Sequence, residues 1–190
     1  ELAYQVNATF TPKKGYTFNA NYSNVSNDSL DLFQEIFVDF EMRKTKYKLL
    51  LGGQLINYNQ EVYENEPDRP MVQTITPFAE LTYKFDRKKS MRVELQYQQC
   101  EQDYGSWVYG LLEYNIAPKW SFAVSDMWNY EPLRTEEAPH YYSIFTGYTH
   151  KSSRFTLNYV KQIAGIVCTG GVCRYEPAFS GLKAGLVTTF

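Results

Sequence analysis

Ser180-Gly-Leu-Lys-Ala-Gly-Leu-Val-Thr-Thr-Phe190 is the stretch whose reading decides the fold. Leu182, Ala184, Leu186, Thr188 and Phe190 recur at every second residue, the period of one face of an extended strand, while Lys183, Val187 and Thr189 fall on the other. The chain ends on an aromatic residue within a strand pattern, which soluble domains rarely do. The expectation is that this is the closing strand of an antiparallel transmembrane β-barrel, and that the preceding chain is a series of hairpins leading to it.

Met91-Arg-Val-Glu-Leu-Gln-Tyr-Gln98 repeats the alternation most cleanly: Met91, Val93, Leu95 and Tyr97 share one face, Arg92, Glu94, Gln96 and Gln98 the other. A helix would scatter those four apolar residues around its axis. The same period runs through Leu2 to Phe10, Tyr16 to Tyr22, Leu30 to Met42, Tyr47 to Leu55, Ile75 to Phe85, Val108 to Ile116, Trp120 to Tyr130, Tyr142 to Tyr148 and Phe155 to Tyr159. That makes about eleven strands, each near the 9 to 11 residues that cross a bilayer when tilted.

Composition agrees with this pattern. The 190 residues include 17 Tyr and 12 Phe, yet mean hydropathy is negative. Strands that alternate lipid-facing apolar residues with polar lumen residues average to a soluble-looking value, and aromatic girdles raise the ring count. No apolar run approaches the roughly 18 residues of a transmembrane helix. The formal net charge of -2 gives no electrostatic reason to expect nucleic acid as a partner.

The connections alternate in length and charge. Short ones hold Lys13, Lys14, Arg43, Lys44, Lys46, Arg87, Lys88, Lys89, Lys119, Lys151 and Arg154; long ones hold Asp28, Glu61, Glu64, Glu66, Asp68, Glu101, Asp103, Glu131, Glu136 and Glu137. Short periplasmic turns and long outer loops are the rule for bacterial outer-membrane barrels. An antiparallel sandwich, the rival fold, would explain the alternation but not this two-sided regularity. With Phe190 at the periplasmic side, an odd strand count makes the first strand start outside. Single-chain bacterial barrels have even counts, so residues 1–190 are expected to be one domain, the C-terminal part of a larger barrel incomplete on its N-terminal side.

On this reading Asp31, Glu35, Asp39, Glu41, Glu80, Lys84, Arg92 and Glu94 project into the lumen, as a charged eyelet or as a solvated, mutually paired interior. Tyr22, Tyr58, Tyr83, Tyr97, Trp120, Trp128, Tyr130, Tyr142 and Tyr148 are expected in interface belts. Cys168-Thr-Gly-Gly-Val-Cys173 suits a small disulfide loop worth about 2 kcal/mol, in an oxidising compartment. A metal site is the weaker reading, since two thiols without a second pair of ligands cannot complete a tetrahedron. Cys100 is either a buried thiol or the partner of a cysteine elsewhere. His140, close to Glu136 and Glu137, is the one candidate for activating water, and without a nucleophile arrangement no catalytic residue and no cofactor are assigned.

Lys183-Ala-Gly185-Leu-Val-Thr188-Thr-Phe190 resembles the β-signal of outer-membrane proteins, with Lys183, Gly185 and Phe190 in place and Thr188 where a hydrophobic residue usually stands. The resemblance implies the barrel-assembly machinery as a partner during biogenesis. Asn158-Tyr-Val-Lys-Gln162, Gly170-Gly-Val-Cys-Arg174 and Pro177-Ala178 are similar to the C-terminal end of an uncharacterised family of Bacteroidota outer-membrane barrels. That resemblance implies membrane lipid and the cell envelope as surroundings and carries no catalytic residues. The functional expectation is a noncatalytic, porin-like pore or transport-related channel, with a structural or accessory subunit in contact with other envelope proteins as the alternative.

Overall fold

The computed structural model describes residues 2–27, 30–64, 67–69, 71–169 and 172–189; for residues 64 and 165–176 the description is of the backbone only. The chain runs β1 (Leu2–Lys13), β2 (Tyr16–Asn27), β3 (Leu30–Arg43), β4 (Tyr47–Asn59), α1 (Gln60–Glu64), β5 (Met71–Lys84), β6 (Lys89–Cys100), β7 (Gly105–Ile116), β8 (Trp120–Pro132), β9 (His140–His150), β10 (Ser153–Gln162), β11 (Gly165–Thr169), β12 (Val172–Glu176) and β13 (Phe179–Thr188). Eleven strands form one antiparallel sheet, each beside its sequence neighbour, in the order β1 to β10 followed by β13. The sheet does not close, and β1 and β13 are its edges. The eleven expected strands are these eleven.

Three expected loops are shorter than the sequence pattern indicates. Polar Ser23 to Asn27 stay in β2, paired with β3, and β6 and β8 continue to Cys100 and Pro132. A ladder is held by backbone groups, so it persists after side-chain alternation has faded. The long segment holding the cysteines folds into a separate two-stranded hairpin, β11 with β12.

Register sorts the side chains into two faces. One row runs Phe18, Phe40, Leu51, Ala79, Leu95, Gly110, Asp126 and Tyr142, each directly opposite the next. The neighbouring row on the other face runs Thr17, Glu41, Leu50, Glu80, Glu94, Leu111, Ser125 and Ser143. Exposure is inverted relative to a soluble protein. Leu95 is 58% exposed and Val124 52%, whereas the side chains of Glu80 and Glu94 are 16% and 18% exposed. The unequal exposure makes the charged face the concave side of the sheet, and most of the exposed apolar side chains stand on the convex side. Among the described residues, the buried hydrophobic ones are only Leu32, Val72, Cys100 and Val160, far short of the core a soluble domain of this length needs.

Rings bracket the convex face at two heights. Toward the short turns, Trp120 packs on Tyr148 with ring centres 4.5 Å apart, Tyr83 meets Phe85 at 5.1 Å, and Lys44 sits 4.4 Å over the Tyr16 ring. Toward the long connections, Tyr97 stacks on Tyr130 at 5.7 Å, Tyr130 meets Trp128 at 5.9 Å, and Tyr142 packs on Tyr159 at 5.7 Å. Between the two levels lie Leu51, Leu81, Val93, Leu95, Leu112, Val124 and Ile144. Trp120 and Trp128 share β8, eight residues apart in sequence, which is about 26 Å along a strand and about 20 Å once tilted by roughly 40°. Tyr58 departs from the expected belts: it lies opposite Phe33 on the concave side, and its hydroxyl reaches Asp103.

Candidate functional site

The concave face of β3 to β7 carries a continuous chain of charges. Glu80 lies directly opposite Glu94, an arrangement of like charges that is unfavourable by itself. Arg92 resolves it: Nη1 is 3.1 Å from both Glu80 Oε2 and Glu94 Oε2, and Nη2 is 3.0 Å from Glu113 Oε2. The chain continues through Lys48, 3.6 Å from Glu80 and 3.5 Å from Glu41, and on to Arg43, 2.8 Å from Glu41. Amides close the remaining valences, with Gln96 Nε2 donating to Glu94 Oε1 at 2.6 Å and Asn115 Nδ2 donating to Glu113 Oε1 at 2.5 Å. The planar guanidinium suits this position because it offers several donors in a fixed fork, which a lysine ammonium does not.

Nearer the middle of β2 to β4 the polar network becomes richer in amides. Asn19 donates to Asp39 at 2.9 Å, and Gln54 donates to Glu35 at 2.5 Å. Of the eight expected lumen charges, Glu35, Asp39, Glu41, Glu80, Lys84, Arg92 and Glu94 share the concave face by register. Asp31 does not join them. The register shift between Val25 and Ser26 sets Asp31 opposite Ser26 on the side of Tyr22, because a bulge reverses the alternation of faces beyond it. Lys48 and Glu113, which the sequence reading did not single out, are full members of the network. Their signal was the two-residue spacing from Leu50 and Leu111 on the same face, concealed because those residues are apolar.

The long connections gather at one end over the concave face. Asp103 is their hub: it accepts from Tyr58 Oη at 3.3 Å and Gln60 Nε2 at 3.0 Å, and pairs with Arg134. The Arg134 guanidinium also lies 4.5 Å over the Tyr104 ring. Three successive connections are thus tied at one carboxylate. Below it Ser106 Oγ accepts from the Cys100 N–H and donates to the Cys100 carbonyl, both at 3.2 Å, and Asn129 Nδ2 donates to the Tyr104 carbonyl at 2.8 Å. Cys100 is buried, and its thiol donates to the Gln102 carbonyl at 3.1 Å. Gly105 makes the bend into β7 with φ +85°, and a Cβ there would collide with the Glu131 carbonyl.

His140 does have a carboxylate partner, but neither Glu136 nor Glu137. Its Nδ1 is 2.6 Å from Asp126 Oδ2, and its ring stacks on Trp128 with centres 5.4 Å apart and planes 4° from parallel. Both groups stand on the convex, apolar face, away from the charged concavity. On β13, Lys183 Nζ reaches Gln162 Oε1 at 2.5 Å, and Gly185 lies opposite Thr156, whose Oγ1 a Cβ would meet at 2.7 Å. Phe190, the third residue of the expected assembly signal, lies outside the described residues. The backbone register places Cys168 directly opposite Cys173, and the side chains of both lie outside the described ones.

The fold and its two faces define an all-β protein built on one open antiparallel sheet that is apolar on its convex side and charged on its concave side. The chain belongs to the family of unknown function DUF6029, whose model matches residues 2–190. The match reaches well beyond the C-terminal fifth in which the sequence resemblance lay. No curated protein and no solved structure matches it.

Proposed function

We propose that this chain is the strand-built wall of a noncatalytic outer-membrane β-barrel of the Bacteroidota cell envelope, forming a pore or transport-related channel. One observation carries the reading: the apolar residues are the exposed ones, in a band between two levels of rings, while the half-buried residues on the opposite face are charged and mutually paired. Lipid covers such a convex face, and water fills such a concave one. The short basic turns face the periplasm and the long connections the exterior, with the Asp103 hub above the lumen.

Closure follows from strand direction. In an eleven-stranded antiparallel sheet the edge strands β1 and β13 run the same way, so an antiparallel seam needs an odd number of further strands. A second copy in the same membrane orientation would present only parallel edges and does not supply it. Lys183 and Gly185 on β13 act with Phe190 as the signal read by the assembly machinery. The facing register of Cys168 and Cys173 supports a disulfide in the exterior hairpin, since directly opposed residues on antiparallel strands stand about 4.5 to 5.5 Å apart, within disulfide reach.

A second reading, an accessory subunit of an outer-membrane complex, draws on the Asp126–His140 pair. An ionisable pair on an otherwise apolar face is better covered by a protein neighbour than by lipid tails. Conductance across planar bilayers separates the two. Stepwise channels from the purified full-length protein are the expected result, and a protein that inserts yet stays closed at every voltage and salt would remove the pore and leave the accessory subunit. Release from membranes by carbonate without detergent would overturn both.

A further inference from the structure

The concave face holds rings as well as charges, and they stand together. Phe78 lies opposite Gly52, whose missing Cβ leaves room for the ring, and stacks on Phe37 at 5.7 Å. Two strands on, Tyr109 lies between Gln96 and Met127, Met127 lies opposite Tyr141, and Trp107 meets the Tyr141 ring at 6.0 Å. A cavity of about 320 Å³ opens here, with Trp107, Tyr109 and Met127 on one side and Glu94, Gln96 and Gln98 on the other. All six are half-buried or nearly so, between the Arg92 network and the loop hub.

We propose that this cavity is a binding site for a neutral carbohydrate, one or two hexose rings of an oligosaccharide at a time. The inference deepens the barrel reading, because it takes the concave face as the lumen. Trp107 and Tyr109 alternate on one strand, so their rings are about 7 Å apart along it and offer two flat apolar surfaces. The adjacent strand β6, whose Gln96 and Gln98 pair directly with Tyr109 and Trp107, offers amides that both donate and accept, and a carboxylate that accepts from hydroxyls. A pyranose has this same division, with C–H groups on its faces and hydroxyls on its rim. Charge decides against a cation: the one carboxylate in the wall, Glu94, is already paired with Arg92 at 3.1 Å and with Gln96 at 2.6 Å. The size lies at the lower end for small-ligand sites.

The test is titration of the full-length protein in detergent with short linear oligomers of glucose, galactose and mannose, followed by calorimetry and tryptophan fluorescence. Saturable binding of at least one oligomer is expected, weakened about tenfold by Tyr109→Leu and by Trp107→Leu, retained by Tyr109→Phe, and unchanged by Trp128→Ala on the convex face. Retention in Tyr109→Phe shows that the ring rather than the fold is being read. Absence of saturable binding to every oligomer overturns the proposal. So does a preference for an organic cation such as choline, or equal weakening by Trp128→Ala. Binding in detergent requires no conduction, so a closed channel that still binds sugar removes the pore and leaves this site standing.

Discussion

Strands β3 to β7 and strands β8, β9, β10 and β13 present the same convex face but different concave ones. The first group places Glu41, Lys48, Glu80, Arg92, Glu94 and Glu113 in one connected network. The second offers mostly uncharged side chains at corresponding heights: Ser121, Ala123, Ser125, Ser143, Gly147, Thr156 and Gly185, with Phe145, Asn158 and Lys183 in the row that continues from Arg92 and Glu113. The apolar period that builds the wall is therefore independent of what the wall carries inside. In a barrel, this sets the paired charges on one arc of the lumen and mostly uncharged side chains on the other.

The largest expected effect tests whether the two faces differ in their surroundings. Leu95→Arg at mid-height of the convex face should cost about 2 to 4 kcal/mol in lipid, read as loss of folding into vesicles. Ser121→Ala on the concave face of β8 should stay within about 0.5 kcal/mol. Equal tolerance of both changes would remove the lipid-facing assignment.

Within the concave face, Arg92→Met should destabilise by about 2 kcal/mol, because three glutamates lose their shared counter-ion. The denaturant midpoint should recover in part with Glu80→Gln added, since the opposed Glu80 and Glu94 then no longer repel. A full loss that Glu80→Gln does not relieve would mean that the arginine acts by packing alone.

Adjacent glycines in β4 sharpen the contrast between faces. A Cβ on Gly52 would collide with the Phe78 ring and the Val38 carbonyl, whereas on Gly53 the nearest atom is 4.0 Å away. Gly52→Ala should therefore cost about 1 to 3 kcal/mol by overpacking, and Gly53→Ala should be close to neutral. Thermal midpoints of the two variants compare them directly.

The smallest effect belongs to a turn outside the wall. Asp86 accepts from the Lys88 and Lys89 backbone N–H groups at 2.7 and 2.9 Å. These bonds, the one from Lys88 first, hold its carboxyl below the usual carboxylate value. A lowered value in the folded state means that the stabilisation is present above the unfolded value and is lost as pH falls through the folded one. Protection of the Lys88 and Lys89 amides against hydrogen exchange should fall only at pH below the ordinary carboxylate range, and Asp86→Ala should abolish the dependence.

The strands were legible because a period of two needs no partner to be recognised: Met91 to Gln98 declares two faces by alternation alone. Asp31 was misplaced because a bulge reverses faces without leaving a mark in composition. Tyr58 was assigned to a belt because a ring near a strand end carries no indication of which side it takes; the parity from Leu55 would have shown it. Asp126 was invisible as the partner of His140, since they are fourteen residues apart and meet only across the β8–β9 ladder. The rings of Phe37, Phe78, Trp107, Tyr109 and Tyr141 were obscured by the many outward ones.

Sequence by itself determined the eleven strands, their order and the apolar face, because each hairpin is local and alternation fixes direction of side chains within a strand. Only the tertiary structure decided which face is concave, which carboxylates share Arg92, that Asp103 ties three connections, and that β1 and β13 remain as parallel-running edges. Those depend on register and curvature, in which residues up to several strands apart are set opposite one another by backbone pairing rather than by their own identities.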